Sequence, residues 1–456
     1  MRELAPGVTA ERLAELHDAE EHRFAREHPR SLELARAGRR HLLAGVPMHW
    51  MAKWPGGFPL FVAEARGSRF TDVDGHEYVD FCLGDTGAMS GHAPGPTLRA
   101  IAEQSARGIT TMLPSQDALW VAEELTRRFG VDRWQFALTA TDANRFSIRL
   151  ARHVTGRPKV LVFNWCYHGT VDEAFATLES GAVVARRGNL GAPVPLAETT
   201  RVVEWNDVAR LEEELAAADV ALVLTEPALT NVGIVHPDPG FHDALRALTR
   251  ETGTLLAIDE THTICCGPGG FTALHGLAPD IVTIGKPIAG GVPAAAYGFT
   301  AELADRIDAS IELEDVDVGG VGGTLAANCL SLAAMRATLG EVLTDEAFAR
   351  MIPLARRWTS GVEDAIAETG LPWQVTQLGC RAEYLFGPDR PRNGSEAHAV
   401  GNFALEHYMH LHALNRGILL TPFHNMALVS PATTEADVDR HTEVFREAVR
   451  ELRLDT

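Results

Sequence analysis

Ile281-Val282-Thr283-Ile284-Gly285-Lys286-Pro287-Ile288-Ala289-Gly290-Gly291 is the stretch on which the reading of this chain turns. Four apolar or β-branched residues make a short strand, and Gly-Lys-Pro ends it. The lysine stands without a charged neighbour, in a chain that has three lysines (Lys53, Lys159, Lys286) and 38 arginines. A desolvated amine gives up its proton and attacks carbonyls, which a guanidinium cannot do. Taken alone, the position also fits a strand-end lysine that merely reaches solvent.

The strands upstream narrow the choice. Residues 255–258 run into Asp259-Glu260, 27 positions before Lys286. Residues 220–225 run into Glu226-Pro227, and residues 160–164 lead to Tyr167-His168-Gly169. Short apolar runs at 136–139, 160–164, 220–225, 255–258 and 281–284 alternate with helical stretches at 115–129, 142–155 and 238–252. That texture predicts an α/β fold with a parallel sheet covered on both faces. Ligands of such sheets sit beyond the carboxyl ends of the strands, so Tyr167, Glu226, Asp259 and Lys286 are expected on one rim. A strand-end Asp beside a strand-end Lys meets the two needs of pyridoxal phosphate: an amine to hold the aldehyde and a carboxylate to keep the pyridine nitrogen protonated. A phosphate belongs at a helix N-terminus. Thr139-Ala140-Thr141-Asp142-Ala143 opens such a helix, and the Gly-rich loop 319–324, ending in Thr324, is a second candidate. Tyr167 is placed to lie on the ring, or else packs as an ordinary half-buried aromatic.

Composition sets the outer limits. The 456 residues include 41 basic and 61 acidic side chains, a formal net charge of −20, which argues against nucleic acid and anionic membrane as partners. Seven acids crowd residues 302–317, just before the Gly-rich loop. The start lacks a signal-peptide layout and no apolar run nears the ~18 residues of a membrane span. Six cysteines without a CxxC pair read as reduced thiols, so a cytoplasmic protein is expected. The chain reads as an N-terminal helical arm and strand meander (1–95), a large cofactor-binding domain (96–325) and a C-terminal small α+β domain (326–456). Leu13, Leu16 and Phe24 share a helix face, Pro29 interrupts it, and Ser31 is a candidate cap for the next helix. His407, His410 and His412 fit no usual zinc spacing and read as a solvated helix face; no metal site is expected.

Taken together these residues resemble the class III aminotransferases of the fold-type I pyridoxal-phosphate enzymes, in the branch that holds glutamate-1-semialdehyde aminomutase and the β- and D-amino-acid transaminases. The resemblance runs from about Gly45 to the C-terminus, through Phe70-Thr71-Asp72-Val73-Asp74-Gly75, Gly91-His92, Tyr167-His168-Gly169, Glu226-Pro227, Asp259-Glu260, Thr283 to Gly291, and Gly323-Thr324. It implies a large domain with a mostly parallel seven-stranded sheet flanked by helices, plus a smaller α+β domain. It implies pyridoxal 5'-phosphate held by Lys286 as an internal aldimine, Asp259 on the pyridinium nitrogen and Tyr167 stacked on the ring. Thr139, Ala140 and Thr141 would bind the phosphate, joined by Thr324 of the partner subunit in a homodimer with shared active sites. His168 and Glu226 would complete the cofactor site, with Thr261 on the ring face and His262 near the ring hydroxyl. Trp50, Lys53 and Trp54, with His49 and Phe58, fall where relatives line the substrate site, and Arg381 is a second carboxylate anchor. The expected activity is transamination between an amino acid or amine and a keto acid. An aminomutase or racemase would use the same Lys286 and Asp259, and a non-catalytic cofactor-binding paralogue is the remaining alternative.

Three departures stand out. The usual phosphate loop Ser-Gly-Thr-Glu-Ala is Thr-Ala-Thr-Asp-Ala here, so Ala140 replaces a glycine and is expected to restrict the backbone. Thr261-His262 follows Asp259-Glu260 in place of Val and Met or Gln. The stretch 421–427 lacks the arginine many members keep for a substrate carboxylate.

Overall fold

The computed structural model describes residues 3–5, 8–310 and 319–453, so part of the acidic run 302–317 lies outside the described residues. The chain divides into two compact units, 94–348 with 391–399, and 1–93 with 349–390 and 400–456. The division expected at 325/326 falls inside the larger unit, because the helix Cys329–Ala337 is apolar on nearly every side and is buried there.

The larger unit is built on one seven-stranded sheet: β1 (Arg133–Ala137), β2 (Lys159–Phe163), β3 (Thr200–Val203), β4 (Val220–Thr225), β5 (Leu255–Asp259), β6 (Ile281–Ile284) and β7 (Ala295–Phe299). Their spatial order is β3-β2-β4-β5-β6-β7-β1. Strands β3, β2, β4, β5 and β6 pair in parallel, and β7 runs antiparallel to both its neighbours. The mostly parallel sheet expected from the sequence is therefore present. The exception has a local cause: only residues 285–294 separate β6 from β7, too few for a crossover helix, so the chain must turn back beside itself. All six residues of β4 are buried, as unbroken apolar runs are when both faces are covered.

Helix α1 (Ala140–Thr155) follows β1. Thr139 caps it by accepting the Asp142 N–H at 3.1 Å, and Gly156 ends it at φ +67, where a glycine avoids the Cβ penalty. Ala143, Asn144, Phe146, Ser147, Ile148, Leu150 and Ala151 are its buried positions. Asn144 is the one amide among them.

The smaller unit holds two sheets. Val62–Arg66, Arg69–Asp72 and Glu77–Asp80 form the expected meander, with Ile418–Leu419 added beside the last strand. Gln374–Leu378, Arg381–Leu385 and Met426–Leu428 form the other. Trp358, Trp373, Tyr384, Tyr408 and Phe445 lie in its core. Ser31 does not cap a helix: the helix Pro29–Gly38 starts two residues earlier, and the Ser31 hydroxyl donates to Asp74 at 2.7 Å. The solvated face expected for His407, His410 and His412 is also corrected. His410 and His412 are buried and His407 half-buried, because the helix Phe403–Leu414 is apolar nearly all round and leaves no polar face. Burial pushes both buried imidazoles well down, so they stand neutral. No helix among the described residues is long and apolar enough to cross a membrane.

Candidate active site

Strands β2, β4, β5 and β6 are adjacent and parallel, so their carboxyl ends share one edge. Lys286 starts the single turn Lys286–Ala289 after β6 and sits at φ +52. That left-handed conformation costs a residue with a Cβ about 1–2 kcal/mol, and such strain collects at functional positions. Its predecessor Gly285 lies against α1: a Cβ added there would come 3.0 Å from the Ala140 Cβ and 3.2 Å from the Ala140 nitrogen. Ala140 itself is an ordinary helical residue with φ below zero, so the methyl it carries restricts nothing in its own backbone and is accommodated by the glycine facing it. Lys286 is half-buried, and its Nζ lies 2.8 Å from His262 Nε2.

Asp259 closes β5 and is buried. Its Oδ2 accepts from Asn144 Nδ2 at 2.8 Å and faces His168 Nδ1 at 3.0 Å, while Oδ1 accepts the Thr261 N–H at 3.0 Å. Burial alone would raise this carboxyl, but the His168 contact and the bonds from Thr261 and Asn144 outweigh it and hold the group well below the ordinary carboxylate range. For His168 burial disfavours the charged ring, while the Cys166 sulfur and the Asp259 carboxylate raise it above its usual value. His168, expected as a cofactor contact, is thus placed as the partner of Asp259.

Asn144 was not singled out in the sequence. Its Nδ2 also donates to the His168 carbonyl at 3.2 Å, and its Oδ1 accepts from Thr283 Oγ1 on β6 at 2.7 Å. One amide therefore ties α1, the loop after β2, and strands β5 and β6 together around Asp259. The signal that could have found it is a lone carboxamide among the apolar positions of α1, since a buried amide needs partners.

The other rim residues divide into holders and exposed groups. Glu226 is buried and accepts from the Thr230 hydroxyl and N–H. Glu260, also buried, accepts from Thr263 Oγ1 at 2.6 Å and from the amides of Phe271 at 3.1 Å and Thr272 at 2.5 Å, which fixes the loop after β5. Tyr167 is half-buried, edge-on to Phe175 at 6.3 Å. Thr139 spends its hydroxyl on the cap, donating to Asp142 at 2.9 Å. Thr141 Oγ1 accepts the Thr170 N–H at 3.1 Å, which leaves its proton to donate. Gly169 explains the glycine after Tyr167-His168: it sits at φ +77, and a Cβ there would lie 2.2 Å from Thr141 Oγ1. Gly169→Ala is expected to cost about 2–3 kcal/mol and to weaken cofactor retention, read as a lower Tm together with faster loss of colour on dialysis. Thr324 is exposed.

The substrate candidates lie in the smaller unit. Trp50 packs edge-on against Phe423 at 5.5 Å, and Lys53 Nζ sits 5.6 Å from the centre of the same ring. Lys53 is exposed and Trp54 half-buried. Arg381 is fully buried and faces the carboxylate of Glu383 at 3.7 Å, so its charge is met within its own strand.

Do the residues present fit pyridoxal phosphate? The Thr261 hydroxyl is buried without a hydrogen-bond partner, two residues from Asp259. Asp259 is ionised, with acceptor capacity left on Oδ1. The α1 N-terminus offers the N–H groups of Ala140 and Thr141 beside a donating hydroxyl. A polar ring with a basic nitrogen, an aldehyde and a phosphate matches this donor set. They fit.

Residues 50–449 match the family model of the class-III aminotransferases. A glutamate-1-semialdehyde 2,1-aminomutase of Aquifex aeolicus (strain VF5) is 31% identical over 403 residues, 87% of this chain and 93% of that protein. A crystal structure of a glutamate-1-semialdehyde aminomutase from Pseudomonas aeruginosa PAO1 is 51% identical, with a TM-score of 0.96 over 98% of this chain and 100% of the other. That protein was also solved as a K286A variant in complex with PMP. An omega-transaminase from Sphaerobacter thermophilus is 27% identical at a TM-score of 0.85, over 93% and 98% of the two chains. The order β3-β2-β4-β5-β6-β7-β1, the Lys286 and Asp259 strand ends and these full-length likenesses agree, and the chain belongs to the class-III aminotransferases, fold-type I enzymes that work with pyridoxal phosphate.

Proposed function

We propose that the protein is an aminomutase of the glutamate-1-semialdehyde type, which moves an amino group between neighbouring carbons of one small substrate. The likeness to a solved aminomutase over 98% of the chain carries this reading, and it displaces transamination with a separate keto acid as the first choice.

When bound, pyridoxal phosphate supplies an electron sink that eases removal of a proton from the carbon beside the substrate nitrogen. The chain's own residues do the rest. Lys286 holds the cofactor and, once displaced by the substrate amine, its Nζ takes that proton and returns it to a different carbon. Asp259, kept ionised by its three partners, holds the ring nitrogen protonated. Thr139, Ala140 and Thr141 bind the phosphate through the α1 N-terminus. Tyr167 and Thr261 bracket the ring. A homodimer, with Thr324 supplied to the neighbouring site, suits two features of the larger unit. The loop carrying Thr324 is exposed, and Ile109, Met112 and Leu113 leave 47%, 74% and 72% of their surfaces bare in one short segment.

The deciding measurement gives the holoenzyme glutamate-1-semialdehyde and no keto acid. An aminomutase turns over many times per site. A transaminase stops after one half-reaction and resumes only when a keto acid is added, and that result would sink the proposal. A racemase instead returns the mirror image of its substrate.

A further inference from the structure

We propose that His262 is the proton acceptor of Lys286, keeping Nζ a free amine each time the lysine is released from the cofactor. The inference rests on Lys286 being the cofactor lysine, and holds whether the overall reaction is an aminomutation or a transamination.

The need comes from elementary chemistry. An ordinary lysine amine is protonated in all but about one molecule in a thousand near pH 7.4, and an ammonium has no lone pair to attack with or to accept a substrate proton. Something at the rim must take the extra proton. The carboxylates there are already engaged. Asp259 is bonded to Asn144, His168 and Thr261, Glu260 to Thr263, Phe271 and Thr272, and Glu226 to Thr230. His168 is bound to Asp259, and the Tyr167 phenol is a far poorer acceptor near neutrality. His262 meets the amine directly, Nε2 to Nζ at 2.8 Å, and imidazole is the side chain that exchanges protons near neutral pH.

The geometry is held in place by the turn around it. The Thr261 N–H bonds to Asp259 Oδ1 on one side of His262. On the other, the Ile264 N–H bonds to the Glu260 carbonyl at 2.9 Å, and Thr263, Ile264 and Cys265 are buried. The turn that fixes Asp259 therefore also aims His262. Lys286 meets it from the strained start of the turn after β6. In the step itself one N–H bond of the Lys286 ammonium breaks as a new one forms at His262 Nε2. The imidazole becomes cationic, the amine keeps its lone pair, and nothing is oxidised or reduced. Because His262 is half-buried, solvent can carry the proton away.

The test measures how fast the full-length chain, stripped of cofactor, regains its yellow colour with added pyridoxal phosphate from pH 6 to 9.5. His262→Ala and His262→Gln are compared with the parent. Both variants are expected to reach the parent's final colour per chain. Both should be about tenfold or more slower at pH 7, and their profiles should rise about one pH unit higher. Superimposable profiles would overturn the proposal. So would a glutamine variant that matches the parent while alanine does not, since Gln keeps a hydrogen-bond acceptor without a proton site and would mark His262 as a positioning residue. Failure of both variants to gain colour even at pH 9.5 would assign His262 to cofactor binding and overturn it as well. If Lys286→Ala still gained the same covalent colour, the cofactor-lysine reading would fail instead, which keeps the two failures apart.

Discussion

Lys286→Ala is expected to leave a folded protein without covalently held cofactor and with turnover reduced by at least about 10⁴-fold. The loss should not be mended by Lys286→Arg, because a guanidinium keeps its charge and cannot bond a carbonyl carbon. Stability should move the other way. At φ +52 the native residue bears left-handed strain, so Lys286→Gly is expected to raise stability by about 1 kcal/mol while abolishing activity. Two measurements separate chemistry from unfolding. Mass spectrometry after borohydride reduction reports whether the chain carries the cofactor, and thermal melting reports whether it is folded. A Lys286→Ala protein that still gains the cofactor mass and turns over at near-parent rates would remove this lysine from the mechanism.

The strand ends were legible because parallel strands with both faces covered are unbroken apolar runs, so a charge at the end of one stands out. Asp259 and Lys286 are such charges, and the sheet brings β5 and β6 side by side. Strand β7 was not legible: Ala-Ala-Tyr-Gly-Phe is short, and its antiparallel direction follows from the shortness of the link after β6 rather than from its own residues. Asn144 was hidden for a different reason. Its importance lies in four elements meeting at one amide, and that convergence is tertiary. Histidines misled in the same way, since His410 and His412 are polar by type but lie among the buried positions of their helix. The departure at Ala140 shows a compensation that a single position cannot reveal: the methyl faces Gly285, which has no Cβ to meet it.

Asp259→Asn is expected to lower turnover by about 10³-fold while leaving the fold in place, and its effect on stability should carry a pH signature. A neutral amide cannot hold the ring nitrogen in its protonated form, so the cofactor loses much of its power as an electron sink. In the native protein Asp259 has its carboxyl depressed and His168 has its imidazole raised. The depressed carboxyl contributes stability that is present above the ordinary carboxylate value of about 4 and is lost as pH falls through the folded value. The raised imidazole contributes stability that is present below its ordinary value of about 6.5 and is lost as pH rises through the folded value. The pair therefore stabilises most fully between about pH 4 and 6.5. In Asp259→Asn the buried His168 loses its counter-charge. Breaking a buried pair this way costs about 3–5 kcal/mol where the remaining charge is trapped, and less here because His168 can release its proton. The variant should be most destabilised relative to the parent near pH 5–6, with the difference shrinking towards pH 10. Denaturant melts across that range check it. A stability difference that is constant with pH would mean that the contact between His168 Nδ1 and Asp259 Oδ2 at 3.0 Å is a neutral hydrogen bond rather than an ion pair.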